Sequence, residues 1–433
     1  MQLYNLFLQH PVICTDSRNC PKGSIFFALK GDNFNANSFA LGALEKGCAY
    51  AVVDEAEFAI DERFILVNNT LEALQALARY HREQLGTTII GITGTNGKTT
   101  SKELIASVLK EKYNIHYTQG NLNNHIGVPL TLLQLNKNHE LAVIEMGANH
   151  QGEIAFLTEI ARPDFGIITN VGKAHLEGFG SFEGVMKTKA ELYDFILKAG
   201  KKVFINAGNE HLTNMAHKSG LTDEYLQKYA VSDQCENLSL CGTITDCSPF
   251  LSVKCKPAGE SEFEISTQLI GTYNSENILA AATIGRYFGL TAEQIKNGLE
   301  SYVPQNNRSQ LTVTERNKLV VDAYNANPTS MKAAVLNFAQ MNVANKVLIL
   351  GDMLELGDQS ATEHQYIIDL LVKNNLQQVF LVGPEFSKTQ NNFKTFDHVD
   401  ELIQALVASP IYDSYVLIKG SRGIKLEKTL SSL

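Results

Sequence analysis

The chain has 433 residues, 44% hydrophobic and 19% charged, which excludes a disordered chain and is long for one core, so two to four domains are expected. A formal net charge of -9 without a basic stripe argues against nucleic acid as a partner. The opening segment MQLYNLFLQHPVICTDSRNC has no basic n-region or cleavage site, and no run of about 18 apolar residues follows, so the expectation is a cytoplasmic chain without membrane insertion.

Residues 1–86 read as a small α/β unit. Apolar runs at 24–29, 49–53 and 64–67 are expected strands, and Leu71, Leu74, Leu77 and Ala78 mark a helix that Thr70 could cap and Gly86 ends. From 87 to 305 strands and helices alternate, which predicts a doubly wound, mainly parallel sheet. Its strands are expected near 88–92, 141–144, 165–169 and 203–205. Short alternating runs within 228–270 predict a small antiparallel sheet, and 277–288 returns to helix. Residues 304–307 read as a linker. In 306–433 four apolar runs, 319–321, 346–350, 379–382 and 415–418, predict a second doubly wound, Rossmann-like domain.

Seven scattered cysteines without a CxxC pair imply no disulfide framework. Cys235, Cys241, Cys247 and Cys255 lack the tight pairs of a zinc ribbon and read as small hydrophobes on short strands.

The central chemistry sits in 88–104, TIIGITGTNGKTTSKEL. An apolar run leads into Gly94-Thr95-Asn96-Gly97-Lys98-Thr99-Thr100 and a helix-compatible segment follows, the order of strand, phosphate-cradling loop and helix. Lys98 fits the lysine that reaches terminal phosphates and Thr99 the hydroxyl on Mg2+. The spacing is a variant: five residues separate Gly91 from Gly97 where the strict motif has four.

Polar residues just after apolar runs lie where doubly wound sheets bind ligands. Glu145 ends one run and could complete a Mg2+ shell with Thr99, or be a solvated strand-end acid. His175 follows the next strand, as a metal ligand or a core histidine. Lys187 and Lys189 share a predicted helix and by themselves read as a solvated face; a lysine turned inward near two cations would need its charge cancelled. In the last domain Asp322 could accept from a ribose and Tyr324 could stack on a base, with GDMLELG (351–357) and KGSRG (419–423) after two later strands. Nucleotide-handling surfaces on two domains suggest a site that closes between them and keeps water from a reactive intermediate.

The motifs TDSR and FFALKG, GITGTNGKTT, GNLNNHIGVPLTLL, VIEMGANHQGEI, ITNVGKAHLEGFGS, GTYNSENILAA, DAYNANPTSM, LGDMLELG and KGSR resemble the Mur ligase family over nearly the whole chain. The last three resemble most its D-alanyl-D-alanine-adding member, and the DNPR motif of the diaminopimelate-adding relative is not found. The resemblance implies ATP-dependent joining of D-alanyl-D-alanine to UDP-N-acetylmuramoyl-tripeptide through an acyl phosphate, by a monomer. It places the UDP-sugar in 1–86, ATP in 87–305, and closure with D-alanyl-D-alanine binding in 306–433.

The resemblance also implies residue roles. Lys98 and Thr99 would serve ATP and Mg2+, Glu145 the same metal, and His175 a second Mg2+. Lys189 would carry CO2 as a carbamate. Asn274 and Asn277 would read adenine, Arg308 would approach the terminal phosphate, and Asp322 would hold the ribose beside Tyr324. Ser17 and Arg18 would hold the uridine diphosphate, and Asn121, Asn124, Asn325 and Asn327 other parts of the substrates. The chain departs from the family at Asn35-Ala36-Asn37, where Asp-Gly-His is usual, at Tyr273 for His, and at Val321 for an acid. Alternatives are a sister ligase of the muramoyl or folylpolyglutamate type and a non-catalytic ATP-binding subunit.

Overall fold

Alternation within single strands sets the architecture. In the strand Thr88–Thr93, Ile89 packs into one core while Ile90 and Ile92 pack into another, and Val203 and Ile205 divide from Phe204 in the same way. A period of two with both phases apolar needs helices on both faces of a sheet.

The computed structural model describes residues 2–31, 33–305 and 307–433; the expected linker at 304–307 therefore includes one position outside the described residues. The first sheet holds β1 (Ile13–Cys14), β2 (Ile25–Phe27), β5 (Tyr50–Val53) and β6 (Phe64–Leu66), all parallel in the order β1-β2-β5-β6. Between them β3 (Lys30–Gly31) and β4 (Phe34–Asn35) pair as a small antiparallel ribbon.

The central sheet has nine strands: β7 (Thr88–Thr93), β8 (Ile115–Tyr117), β9 (Leu141–Glu145), β10 (Phe165–Ile168), β11 (Lys202–Asn206), β12 (Leu226–Val231), β13 (Leu240–Cys247), β14 (Leu251–Pro257) and β15 (Phe263–Ser266). Their order is β15-β14-β13-β12-β11-β10-β7-β9-β8. It is parallel from β8 to β13, and the antiparallel strands β13 to β15 extend its edge. Chain order reverses at β7, so the loops after β7, β9 and β10 open into one crevice at the carboxyl edge.

The third sheet contains β16 (Gln310–Val313), β17 (Asn317–Asp322), β18 (Lys346–Gly351), β19 (Gln378–Val382), β20 (Lys394–Phe396) and β21 (Ser414–Lys419), in the order β16-β17-β21-β18-β19-β20. Only β16 runs antiparallel.

Helix Thr70–Leu85 carries the first core into the second, because Leu74, Leu77 and Ala78 share a cluster with Ile89, Ala142 and Ile154. Its cap is Asn69 rather than Thr70: the Asn69 side chain accepts from the amides of Leu71 and Glu72, while Thr70 is buried with its hydroxyl on the Ala28 carbonyl. Asn outranks Thr at such a position, and one residue earlier it reaches the free amides. Gly86 closes the helix at φ +66 as expected. Cys235 and Cys241 form a disulfide, a pairing their spacing did not announce. Among the described residues no helix is long and apolar enough to cross a membrane.

Candidate active site

Gly97, at φ +75, caps helix Lys98–Lys110 and turns the backbone so that the loop wraps the helix N-terminus. Gly94 is tighter still, since a Cβ there would stand 2.0 Å from Thr169 Oγ1. The segment after β10 braces the loop from outside: Asn170 Oδ1 accepts from the Asn96 amide at 2.9 Å, and the Thr169 hydroxyl donates to the Asn96 carbonyl at 2.6 Å. Lys98 curls back, its Nζ donating to the carbonyls of Gly94 (2.7 Å) and Thr95 (3.2 Å). Burial, opposed by Glu145 and reinforced by Arg308, holds the Lys98 pKa below the usual lysine value.

The register pairs Ile92 with Glu145, which sets the strand-end acid beside the loop. Glu145 is 1% exposed. Its Oε1 accepts from Asn123 Nδ2 at 2.8 Å and from the Thr99 hydroxyl at 3.4 Å. Its Oε2 is buried without a hydrogen-bond partner, and the nearest cation, Lys102 Nζ, stands off at 3.9 Å. An orphaned carboxylate oxygen costs about 1–3 kcal/mol or more. Beside the Thr99 hydroxyl, that oxygen fits a hard divalent cation.

His175 adopts φ +50 at the start of helix Leu176–Phe179, and its Nδ1 pairs with Oε2 of Glu355 from the C-terminal unit. Burial lowers its pKa, Glu355 opposes this, and Lys98 and Lys189 add to it. Helix Phe182–Lys198 exposes Lys187 and buries Lys189 to 2%. Lys189 Nζ lies over the Phe179 ring, 5.5 Å from its centroid. Burial, with repulsion from Lys98, brings its pKa down to about 7. A large share of the amine is therefore neutral near neutral pH, as reaction with CO2 requires.

The C-terminal unit is docked over this edge. Asn327 caps helix Pro328–Gln340 and donates Nδ2 to Asn96 Oδ1 at 2.7 Å. Lys173 Nζ meets Glu363 Oε1 at 2.7 Å. Asp322 accepts from Lys419 Nζ at 2.6 Å, across neighbouring strands in register. Arg308 covers one face of the Tyr324 ring at 3.7 Å from its centroid, so a guanidinium lies on one side of the ring expected to stack on a base. Asn277 Nδ2 donates to Asn274 Oδ1 at 2.9 Å and Asn274 Nδ2 to the Ile270 carbonyl at 2.8 Å, leaving one N–H on each amide. Tyr273, where the family has His, hydrogen-bonds Ser309 at 3.0 Å.

Two cavities adjoin at this point. One, of about 470 Å³, is lined by Thr95 to Thr100, Glu145, Asn274, Asn277, Arg308, Asp322, Tyr324, Asn325 and Asn327. The other, of about 880 Å³, runs from Asn69, Glu72 and Gln75 past Asn124 to Asn149 and Phe156. Both are lined by Lys98, Asn121, Asn123 and His175. Ser17 and Arg18 line neither, and Arg18 folds onto its own Asp16 in a two-pronged pair at 2.9 and 2.8 Å. In the divergent 35–37 loop, Asn37 is buried and hydrogen-bonds Asp54 at 2.8 Å.

Sequence reasoning gave no individual role to Lys102, Asn123, Asn170, Glu355 or Lys419, although Glu355 and Lys419 stand in the GDMLELG and KGSRG motifs expected near this edge. Lys102 had a signal, since a residue four after Lys98 shares its helix face.

A P-loop at the switch point of a parallel sheet, with a third unit closed over it, defines a two-sided phosphate-handling site. Residues 92–285 match the Mur ligase middle domain and 307–422 match the Mur ligase, glutamate ligase domain. The chain is 35% identical over 444 residues to the UDP-N-acetylmuramoyl-tripeptide--D-alanyl-D-alanine ligase of Bacillus subtilis, covering 97% of this chain and 92% of that one. It is 34% identical to the ligase of the same description from Haemophilus influenzae, over 97% and 93%. Among solved structures it is similar to MurF from Acinetobacter baumannii, with TM-score 0.85, 31% identity, and 97% and 92% coverage. It is also similar to the MurF ligase from Thermotoga maritima in complex with ADP, with TM-score 0.85, 26% identity, and 97% and 96% coverage. The chain belongs to the Mur ligase family.

Proposed function

We propose that the protein is an ATP-dependent ligase of peptidoglycan precursor synthesis that joins D-alanyl-D-alanine to UDP-N-acetylmuramoyl-tripeptide. The products are UDP-N-acetylmuramoyl-pentapeptide, ADP and phosphate. The observation that carries this is the meeting of the two cavities at Lys98, Asn123 and His175. One cavity suits a nucleotide, the larger suits a peptide-bearing sugar nucleotide, and their shared wall is where a carboxylate would reach the γ-phosphate.

Residues 1–86 would hold the UDP-sugar through Ser17 and Arg18, residues 87–305 ATP, and residues 306–433 the dipeptide while closing the site. Asn121, Asn124, Asn325 and Asn327 would contact the substrates. Asn274 and Asn277 would read adenine with their remaining N–H groups, and Asp322 would hold the ribose. Thr99 and Glu145 would hold one magnesium ion, and His175 with a Lys189 carbamate a second, and the metal would supply charge neutralisation on the phosphates. The carbamate would form as the neutral Lys189 amine adds to CO2 and loses a proton, which turns a buried neutral amine into an anion.

The tripeptide carboxylate attacks the γ-phosphorus and the bond to ADP breaks, with Lys98 and Arg308 offsetting charge on the transferring group. The dipeptide amine then attacks the acyl carbon, phosphate leaves, and the nitrogen gives up a proton. Positioning and electrostatics do this without a covalent nucleophile on the protein. The enzyme would act as a cytoplasmic monomer.

Incubation with ATP, UDP-N-acetylmuramoyl-tripeptide and D-alanyl-D-alanine should yield ADP and pentapeptide in equal amounts. ADP release that ignores the dipeptide would overturn the assignment.

A further inference from the structure

Three sulfurs converge in the N-terminal unit, away from both cavities. Cys14 ends β1, Cys20 lies in the loop that follows, and Cys48 precedes β5. Their Sγ atoms all lie within 4.8 Å of one another, with Cys14 and Cys20 4.0 Å apart. A cation bonded to three thiolates at about 2.3 Å in one plane holds its sulfurs about 4 Å apart. The cluster thus has the spread of a three-coordinate site before any ion arrives.

The chemistry of the donors narrows the ion. Among the described residues no imidazole or carboxylate joins the three sulfurs: the neighbouring Asp16 carboxylate is held by Arg18, and the His10 ring by the Gly23 carbonyl. An all-sulfur set selects soft metals and rejects magnesium and calcium. Structural zinc takes four ligands, whereas three thiolates suit a soft monovalent d10 ion.

Cys14 and Cys48 are each 5% exposed, and half-buried Cys20 gives the way in. In the free site Cys14 Sγ donates to the carbonyls of Asp16 and Asn19 at 3.2 and 3.3 Å, and Cys20 Sγ to that of Ser17 at 3.5 Å. Lys46 Nζ, on the Ser17 carbonyl at 2.7 Å, supplies a nearby positive charge.

We propose that Cys14, Cys20 and Cys48 form a three-sulfur binding site for a soft monovalent cation of the copper(I) class. Each S–H bond is exchanged for an S–Cu bond, three protons leave, and no oxidation occurs.

The test titrates the full chain, fully reduced and without oxygen, with copper(I) buffered by bicinchoninate. One copper per chain should leave the chelator, with thiolate-to-copper ultraviolet absorption and three sulfurs by X-ray absorption. Cys20→Ser should weaken binding at least about 100-fold, and Cys48→Ala should remove one sulfur from the X-ray shell. A Cys235→Ser/Cys241→Ser/Cys247→Ser background should keep full binding. Three results would each overturn the proposal: copper that stays with the chelator, a Cys20→Ser protein that binds as tightly as the parent, and a thiol count showing Cys14 and Cys20 joined as a disulfide.

Discussion

Asn327 donates its side-chain amide to Oδ1 of Asn96 at 2.7 Å, bridging 231 residues of sequence between the phosphate loop and the N-cap of a C-terminal helix. The two ends belong to different sheets. With Lys173–Glu363 and His175–Glu355, the pair adds a set of polar contacts to the apolar one made by Ile270, which is buried in the C-terminal core. Polar contacts of this kind can open and re-form during turnover.

Loss of the Asn96–Asn327 bond is therefore expected to weaken closure more than folding. A double-mutant cycle with Asn96→Ala and Asn327→Ala should show coupling of about 0.5–1.5 kcal/mol in kcat/KM for ATP. Asn327→Ala should also lower stability by about 1 kcal/mol, because the same side chain caps its helix. Additive kinetic effects within error would mean the contact does not hold the site closed.

Glu145→Gln keeps an acceptor for Asn123 and Thr99 and replaces the orphaned Oε2 with an amide. Turnover should fall by about 100-fold or more at any magnesium concentration. Without nucleotide the variant should melt below the parent temperature, since losing the carboxylate charge strands the half-buried Lys98 and the buried Lys102 beside it. With magnesium and ATP the parent should gain stability and the variant much less. Thermal melts under the two conditions check both halves.

Lys189 makes stability depend on pH with a definite sign. Its folded pKa is about 7 and the ordinary lysine value is 10.5, so between these the unfolded chain binds more protons and stability rises with pH. The burial penalty is complete below about pH 7. Lys189→Met, compared in CO2-free buffer, should therefore stabilise the chain more at pH 6 than at pH 10. In catalysis Lys189→Ala should lose most activity and recover part with added short carboxylic acids. An unaffected Lys189→Ala protein would refute the carbamate role.

The sheets were legible because alternation such as Ile89 against Ile90 survives in the sequence, and the loop because glycine alone meets its backbone demands at 94 and 97. Lys187 and Lys189 illustrate the limit. Two residues apart on a helix they face nearly opposite ways, and only packing decides that Lys189 turns in. Asn123 was hidden among three asparagines in one turn, where tertiary geometry selects the one that meets Glu145. Glu355 reaches His175 only through docking of separate units, which no local pattern records. Tyr324 was read as a free stacking surface because its partner Arg308 lies in the preceding strand's approach, sixteen positions away.

The Lys419–Asp322 pair separates stability from nucleotide binding. Lys419 is 1% exposed and also donates to the Asn325 carbonyl at 3.3 Å, so it fixes both the acid and the loop beyond it. Lys419→Met leaves Asp322 charged without its partner in a largely buried setting, and should lower stability by about 3 kcal/mol. Adding Asp322→Asn removes the stranded charge and should recover much of that loss. It should not recover ATP binding if Asp322 serves the ribose as proposed, because a neutral amide is a weaker acceptor for ribose hydroxyls than a carboxylate. Urea midpoints and the KM for ATP, measured on the single and double variants, test the two effects independently. Restored KM alongside restored stability would show that Asp322 serves the fold alone.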